Sequence, residues 1–304
     1  MNSLPNNHQE RINRSLQSLE GLSVGDAFGQ CFFIPESQAL SRIEERLLPE
    51  QPWYFTDDTI MSLSVVECLN KFGYVNQEYL ARRFAERYYQ QPDRGYGGTA
   101  HKILRDIYSG RPWQEAAQDV FSGMGSMGNG AAMRVGPIGA YFQGDYKQIV
   151  TESIASAKVT HSHDEAHAGA VAVAIAAGYC SQQCSLDKAE FLDIVLTYTP
   201  DSTTASRIRR CLNFSSKTPL TTIVSRLGNG EKLCAYDTVP ISIWFASEYL
   251  NNYCEGIWNT VSALGDRDTT CAIVGSIIAL SDKSEIPEYW LAARENLPIH
   301  GLDL

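Results

Sequence analysis

A chain of 304 residues, 44% hydrophobic and 20% charged, is long enough for one large domain or two small ones and has the make-up of a globular protein. Its formal net charge of −10, with 25 basic residues scattered and no run of like charge, argues against general binding to nucleic acid or to an anionic membrane surface. No apolar run reaches the ~18 residues that cross a bilayer.

The opening MNSLPNNHQERINRS is polar and carries no mark of a secretory leader. Residues 1–15 read as a flexible or frayed start. There are eight cysteines, at 31, 68, 180, 184, 211, 234, 254 and 271. Without a leader they are expected as free thiols in a reducing cytoplasm. Cys180 and Cys184 have three residues between them rather than two, so a zinc pair there is the weaker alternative.

From Leu16 onward a helical period recurs. TIMSLSVVECLNKFG (59–73) is a helix stopped by Gly73, and QEYLARRFAERYYQQ (77–91) ends before Pro92. GTAHKILRDIYSG (98–110) and WQEAAQDVF (113–121) are shorter candidates, and MRVGPIGAYF (133–142) is apolar but interrupted by glycine and proline. DYKQIVTESIASAKVT (145–160) and DEAHAGAVAVAIAAGYC (164–180) follow; the alanine-rich second one is expected to be buried on most sides. Further helices are read at 188–199, 206–214, 218–228, 240–250, 254–264 and 269–281. Strand and hairpin signals are rare. The expected fold is all-α: a compact, multi-helix, orthogonal bundle forming a single domain over 16–304, with the functional residues in the loops between helices.

Two loops stand out because each sets acidic residues at the head of an apolar helix. TDDT places Thr56, Asp57 and Asp58 there, and GDRDTT places Asp266, Asp268 and Thr269. One reading is helix capping, since carboxylates near a helix start meet unpaired N–H groups and the positive end of the dipole. A single cap suffices for that, however, and here carboxylates and hydroxyls are doubled. Two such entrances facing each other gather four carboxylates, whose repulsion is relieved by hard divalent cations. Oxygen-only ligation suits Mg²⁺, Mn²⁺ or Ca²⁺ rather than zinc.

A third stretch, GMGSMGNGAAMRVGPIG (123–139), frees backbone N–H groups to approach an anion, or else serves as a flexible connector. It lacks the Gly-Lys-Ser/Thr of a P-loop. In the fourth, THSHDEAHAGA, His163 and His167 nearly spell a zinc-protease motif, but Asp164 stands where glutamate belongs and no third ligand is evident. A helix start at His161 with Asp164 as cap is the favoured reading. His161 either plays that structural part or lines a pocket.

Taken together, GLSVGDAFG, TDDT, GNGAAMRVGPIG, THSHDEAHAGA and LGDRDTTCAIVGSI resemble, in order and spacing, the ADP-ribosylglycohydrolase family, over roughly Leu16 to Pro298. LGNGEKLCAYDTVPISIWFA is similar to the family's stretch before the last acidic motif. The resemblance implies an all-α enzyme with a binuclear Mg²⁺ (or Mn²⁺) site that hydrolyses the glycosidic bond between ADP-ribose and an acceptor, whether a protein side chain or a small molecule. By position it implies metal ligation by Thr56, Asp57, Asp58, Asp266, Asp268 and Thr269. Asp57, Asp58 and Asp268 are the implied catalytic carboxylates. ADP-ribose contacts fall on Gly125, Ser126, Met127, Gly128, Asn129 and His161. Asp26 is implied to support the first metal helix or to pack in the core. The chain departs from the family in two places: Phe33 stands where many relatives carry a glutamate close to the metals, with Glu36 three residues further, and Leu264 stands where a second glycine is common. The alternatives are a non-catalytic module that binds ADP-ribose or a nucleotide, and a hydrolase of the same fold acting on another bond of an ADP-ribose derivative.

Overall fold

The computed structural model describes residues 4–182, 186–215 and 217–298. Among these there are helices, short turns and two isolated bridges, and no strand. In chain order the helices are α1 (His8–Gln30), α2 (Glu36–Glu44), α3 (Asp57–Phe72), α4 (Gln77–Gln90), α5 (Gly98–Tyr108), α6 (Trp113–Gln118), α7 (Gly136–Tyr141) and α8 (Tyr146–Lys158). The second half continues with α9 (Asp164–Cys180), α10 (Lys188–Tyr198), α11 (Thr203–Arg210), α12 (Leu220–Leu227), α13 (Ala235–Glu248), α14 (Tyr253–Val261), α15 (Arg267–Ile278) and α16 (Glu288–Ala293). None of them is long and apolar enough to cross a membrane. The all-α reading matches the structure.

The start of α1 corrects the expectation of a frayed segment through residue 15, because the helix begins at His8. Distant partners tie its first turns down. His8 Nδ1 lies 2.8 Å from the Tyr141 hydroxyl, and Ser15 Oγ donates to the Pro137 carbonyl at 2.8 Å. Local periodicity carries no trace of such contacts.

A closely packed helix pair positions the site. Gly21, Gly25 and Gly29 are spaced by four and so share one face of α1. A Cβ on them would stand 2.4 Å from the Gly275 carbonyl oxygen, 2.2 Å from that of Cys271 and 2.2 Å from that of Arg267, respectively. Only glycine lets the α1 and α15 backbones approach this closely. The contact sets Asp26, one residue after Gly25, beside the acidic head of α15.

Behind that pair, Phe28 stacks on Trp290 at 4.7 Å and meets Trp53 and Trp258 edge-on at 5.4 and 4.8 Å. Each such contact adds about 0.5–1.5 kcal/mol beyond the area it buries. Trp53 N–H donates to the Ala293 carbonyl at 2.7 Å, and Glu295 N–H donates back to Trp53 at 2.9 Å. These two bonds pin the extended lead-in to α3. Helix α9 is surrounded, as its composition suggested, with every residue from Ala166 to Cys180 buried.

Helix α13 begins five residues before Pro240, where the sequence suggested a start. Proline has no N–H for the carbonyl four residues back. That carbonyl, of Tyr236, instead accepts from Arg207 Nη1 at 2.9 Å. Of the cysteine pair considered for zinc, Cys184 lies outside the described residues. Cys180 is fully buried in α9, and burial pushes its thiol up.

Candidate functional site

The heads of α3 and α15 meet. Thr269 Oγ1 lies 3.3 Å from Asp58 Oδ2, across 211 positions of sequence. Carboxylate oxygens of Asp26, Asp58 and Asp268 all stand within 4.8 Å of one another. Asp26 joins this group from α1 and explains why TDDT is doubled. Its carboxylate accepts from the N–H groups of Thr56 and Thr59 at 3.0 and 3.1 Å, and from their hydroxyls at 2.8 and 2.6 Å. The capping of α3 therefore comes from a neighbouring helix. Thr56 sits at the N-cap position but makes no side-chain cap bond. Asp57 and Asp58 are left free of that duty, and the buried Asp58 Oδ1 has no partner at all among the described residues.

An unpartnered buried carboxylate oxygen costs free energy unless a cation or a proton meets it. Burial, reinforced by the other acids, pushes the carboxyls up. Asp26 rises to about 7 through burial and then the Asp268 charge, and Asp266 to about 8 for the same two reasons. Burial lifts Asp57 and Asp58 well above the ordinary range and raises Asp268. A crowd of oxygen donors that holds protons because it is buried and because its members repel one another is suited to a hard cation.

The carboxylates floor a cleft of ≈ 470 Å³, of ordinary size for a small-molecule site. Asp57, Asp266, Asp268 and Thr269 line it, whereas Thr56, Asp58 and Asp26 stand behind. The glycine-rich loop forms one wall. Gly125 has φ +75°, and a Cβ there would fall 1.9 Å from Ser162 Oγ. Ser126 Oγ accepts from Gly128 N–H at 3.1 Å. Asn129 ties the loop to the second acidic cluster, since its Nδ2 donates to Asp266 Oδ2 at 2.6 Å and to Thr238 Oγ1 at 2.9 Å. Met127 and Gly128 complete the wall.

His161 lines the same cleft, and Asp164 does not cap it. Helix α9 starts at Asp164 and is capped by His163, whose Nδ1 accepts from Glu165 N–H at 3.1 Å. His167 Nε2 donates to the His161 carbonyl at 2.9 Å, so the near-protease pair has two separate structural tasks. Burial first, then the Arg134 charge, pushes the His161 imidazole down to about 3, which keeps it neutral.

Sequence reading missed the residues flanking the loop. Phe121 and Met124, both exposed, line the cleft with Lys232 and Leu233, and of these only Met124 lay in the glycine-rich stretch the sequence singled out. Phe121 has φ 52° and Leu233 φ 54°, left-handed conformations that cost roughly 1–3 kcal/mol each and gather at functional sites. Leu233 also accepts from Asn129 N–H at 3.1 Å, and Met127 accepts from Ala235 N–H at 2.9 Å, so the 228–235 segment braces the glycine loop. Phe33, at the place of the family glutamate, is half exposed with the Arg267 guanidinium 5.1 Å from its ring. Leu264 keeps a left-handed φ of 58°, the conformation a glycine would relax. Burial pushes the Cys31 thiol up to about 11, which disfavours the thiolate a nucleophile needs. A larger groove of ≈ 900 Å³ beside α4, α5 and α6 contains no such cluster.

Comparisons with known proteins give the family and the fold. The ADP-ribosylhydrolase ARH3 of Gallus gallus is 28% identical, over 78% of this chain and 72% of its own length. That of Homo sapiens is 25% identical, over 92% of this chain and 88% of its own. An uncharacterized protein of Archaeoglobus fulgidus is 30% identical, over 89% of this chain and 88% of its own. A solved ADP-ribosylglycohydrolase-related protein complex shares the fold, with a TM-score of 0.66 over 94% of both chains at 22% identity. The sequence model of the ADP-ribosylglycohydrolase family matches residues 7–303, and with a match of that extent the chain belongs to this family.

Proposed function

We propose that this chain hydrolyses the glycosidic bond joining C1″ of ADP-ribose to an acceptor, with two Mg²⁺ ions (or Mn²⁺) held between the acidic heads of α3 and α15. The observation that carries the reading is the meeting of Asp26, Asp58 and Asp268, within 4.8 Å, where Asp268 lines a cleft walled by the glycine loop and Asp26 and Asp58 stand just behind it. The ligands are Thr56, Asp57, Asp58, Asp266, Asp268 and Thr269. When bound, the cations supply positive charge that orients the ribose hydroxyls and the attacking water.

The chain's own groups do the rest. The glycine loop from Gly125 to Asn129 offers the N–H groups of Ser126 and Met127, those of Gly125, Gly128 and Asn129 being spent on Val120, Ser126 and Leu233, and together with His161 it holds the diphosphate and fixes the ribose above the acids. Phe121 and Met124 offer an apolar shelf for the adenine face. As the C1″–acceptor bond breaks, the ribose takes on oxocarbenium character and water attacks C1″. Its proton passes to a carboxylate that faces the cleft, Asp57 or Asp268, and on to the departing acceptor, which leaves protonated. The partner is accordingly an ADP-ribosylated protein or a small ADP-ribose conjugate. A reducing compartment such as the cytoplasm is supported by the seven described cysteines, all free thiols.

The test is incubation with arginine-, serine- and aspartate-linked ADP-ribosyl conjugates, with Mg²⁺ or with a chelator. Free ADP-ribose should accumulate from at least one conjugate and only with the cation. One observation favours a second reading, a non-catalytic ADP-ribose binder: Phe33 takes the place of the family glutamate. That reading predicts ADP-ribose binding by calorimetry with no release from any conjugate. Products other than free ADP-ribose, identified by mass, would instead mark a hydrolase acting on another bond.

A further inference from the structure

Behind the cleft wall lies a fully buried arginine whose partners are all neutral. Arg134 is 0% exposed and stacks 4.5 Å from the Phe84 ring. It donates to the Ser156 carbonyl at 2.7 Å, the Ser156 hydroxyl at 3.4 Å, the Gly130 carbonyl at 3.1 Å and Thr160 Oγ1 at 3.0 Å. Burying a guanidinium without a carboxylate beside it costs free energy that an apolar side chain of like volume would not incur. The groups it holds indicate what it does there. Gly130 closes the glycine loop, and Thr160 precedes His161.

The hydrogen bonds fix a direction. Arginine has donors only, so the Thr160 oxygen must accept from Arg134. That oxygen also lies 2.7 Å from His161 Nδ1, and it has no other partner among the described residues. The hydroxyl's own proton then has one acceptor within reach, the Nδ1 lone pair. The reverse arrangement, with Nδ1 protonated, leaves a buried hydroxyl without an acceptor, which costs about 1–3 kcal/mol. Thr160 is 2% exposed, so bulk water offers its hydroxyl little in exchange. The other ring nitrogen, Nε2, faces the glycine loop, 3.2 Å from where a Cβ on Gly128 would sit, and has no protein partner among the described residues.

We propose that Arg134 is a positioning residue: through Thr160 it commits His161 to the Nε2–H tautomer, so that the ring presents a fixed donor to an acceptor oxygen of the ligand in the cleft. The ligand's identity rests on the ADP-ribose reading above; the tautomer does not. A neutral ring free to switch tautomers would present a lone pair to that same oxygen for part of the time and repel it. Arg134 also clamps Gly130, so the donor and the loop N–H groups are held in one register.

Arg134→Met removes a whole buried network and endangers the fold, so the test acts on Thr160. Long-range ¹H–¹⁵N correlation spectra of the histidine-labelled chain, with His161 assigned through His161→Gln, report which ring nitrogen carries the proton. The wild type should show Nε2–H without any ligand. Thr160→Val should mix or invert the tautomers and weaken ADP-ribose binding about tenfold, the worth of one hydrogen bond. Thr160→Ser should restore both. A wild-type Nδ1–H tautomer, or a Thr160→Val protein with unchanged spectrum and affinity, overturns the proposal. If the tautomers behave as expected and ADP-ribose does not bind the wild type, the relay stands and the ADP-ribose reading fails.

Discussion

Replacing Gly25 by alanine places a methyl carbon 2.2 Å from the Cys271 carbonyl oxygen and 2.7 Å from its carbon. Contacts between such atoms settle at about 3.5–4.0 Å, so α1 and α15 must part by about 1 Å or shear past each other. Overpacking of this kind costs about 1–3 kcal/mol. The displacement falls where the site is least tolerant. Asp26 is the next residue along α1, and Asp268 is one turn before Cys271 on α15. A spread of 1 Å is a large fraction of the tolerance of a cation site, whose ligand distances vary by only about ±0.2 Å. Urea unfolding, followed by circular dichroism with and without saturating Mg²⁺, separates the two effects. The variant should lose stability in both conditions, and the gain on adding Mg²⁺ should shrink well below that of the wild type. A variant that unfolds earlier but keeps the full Mg²⁺-dependent gain would refute the idea that the glycine stripe sets the site.

Two further outcomes are expected. Without cations, the folded protein should lose stability as pH rises from about 4 to about 8. Asp26 and Asp266 hold their protons up to about 7 and about 8 when folded and release them near 3.8 when unfolded, so the folded state binds more protons across that window. Mg²⁺ should abolish the decline, and thermal unfolding at stepped pH with a chelator checks it; a flat or rising profile contradicts the crowding of acids. Phe121→Ala should weaken ADP-ribose binding about tenfold, the low end for loss of an aromatic platform under a base, while Mg²⁺ affinity stays unchanged. Calorimetry with each ligand measures both.

The two acidic motifs were legible because charge balance is a local argument with a distant consequence. Four carboxylates at apolar helix heads need a common counter-charge, and the structure draws Asp58 and Asp268 together. The all-α architecture and the burial of α9 follow from periodicity and composition. The task of Asp26 was legible only through the family resemblance, which implied support of the first metal helix or a place in the core; local pattern gave no sign of it, because its partners Thr56 and Thr59 lie thirty and more positions away and the bonds form only after α1 has docked. The glycines of GLSVGDAFG carried a readable signal: spacing by four marks a face for close helix approach. The start of α13 was hidden because Arg207 supplies the donor that Pro240 lacks. Phe121 and Leu233 gave no signal, since an exposed apolar residue in a loop looks the same whether or not a cleft opens beside it. Arg134 and Thr160 were equally silent, because a buried arginine reads as a surface one until its neighbours are known.

The central claim is that acids from the two halves of the chain hold cations jointly. Titration calorimetry of Mg²⁺ into the metal-free wild type, Asp58→Asn and Asp268→Asn tests it most directly. Saturable binding in the wild type, lost in both variants while their helical dichroism persists, is the predicted result. Binding that survives unchanged in either variant, or no binding in the wild type, would contradict it.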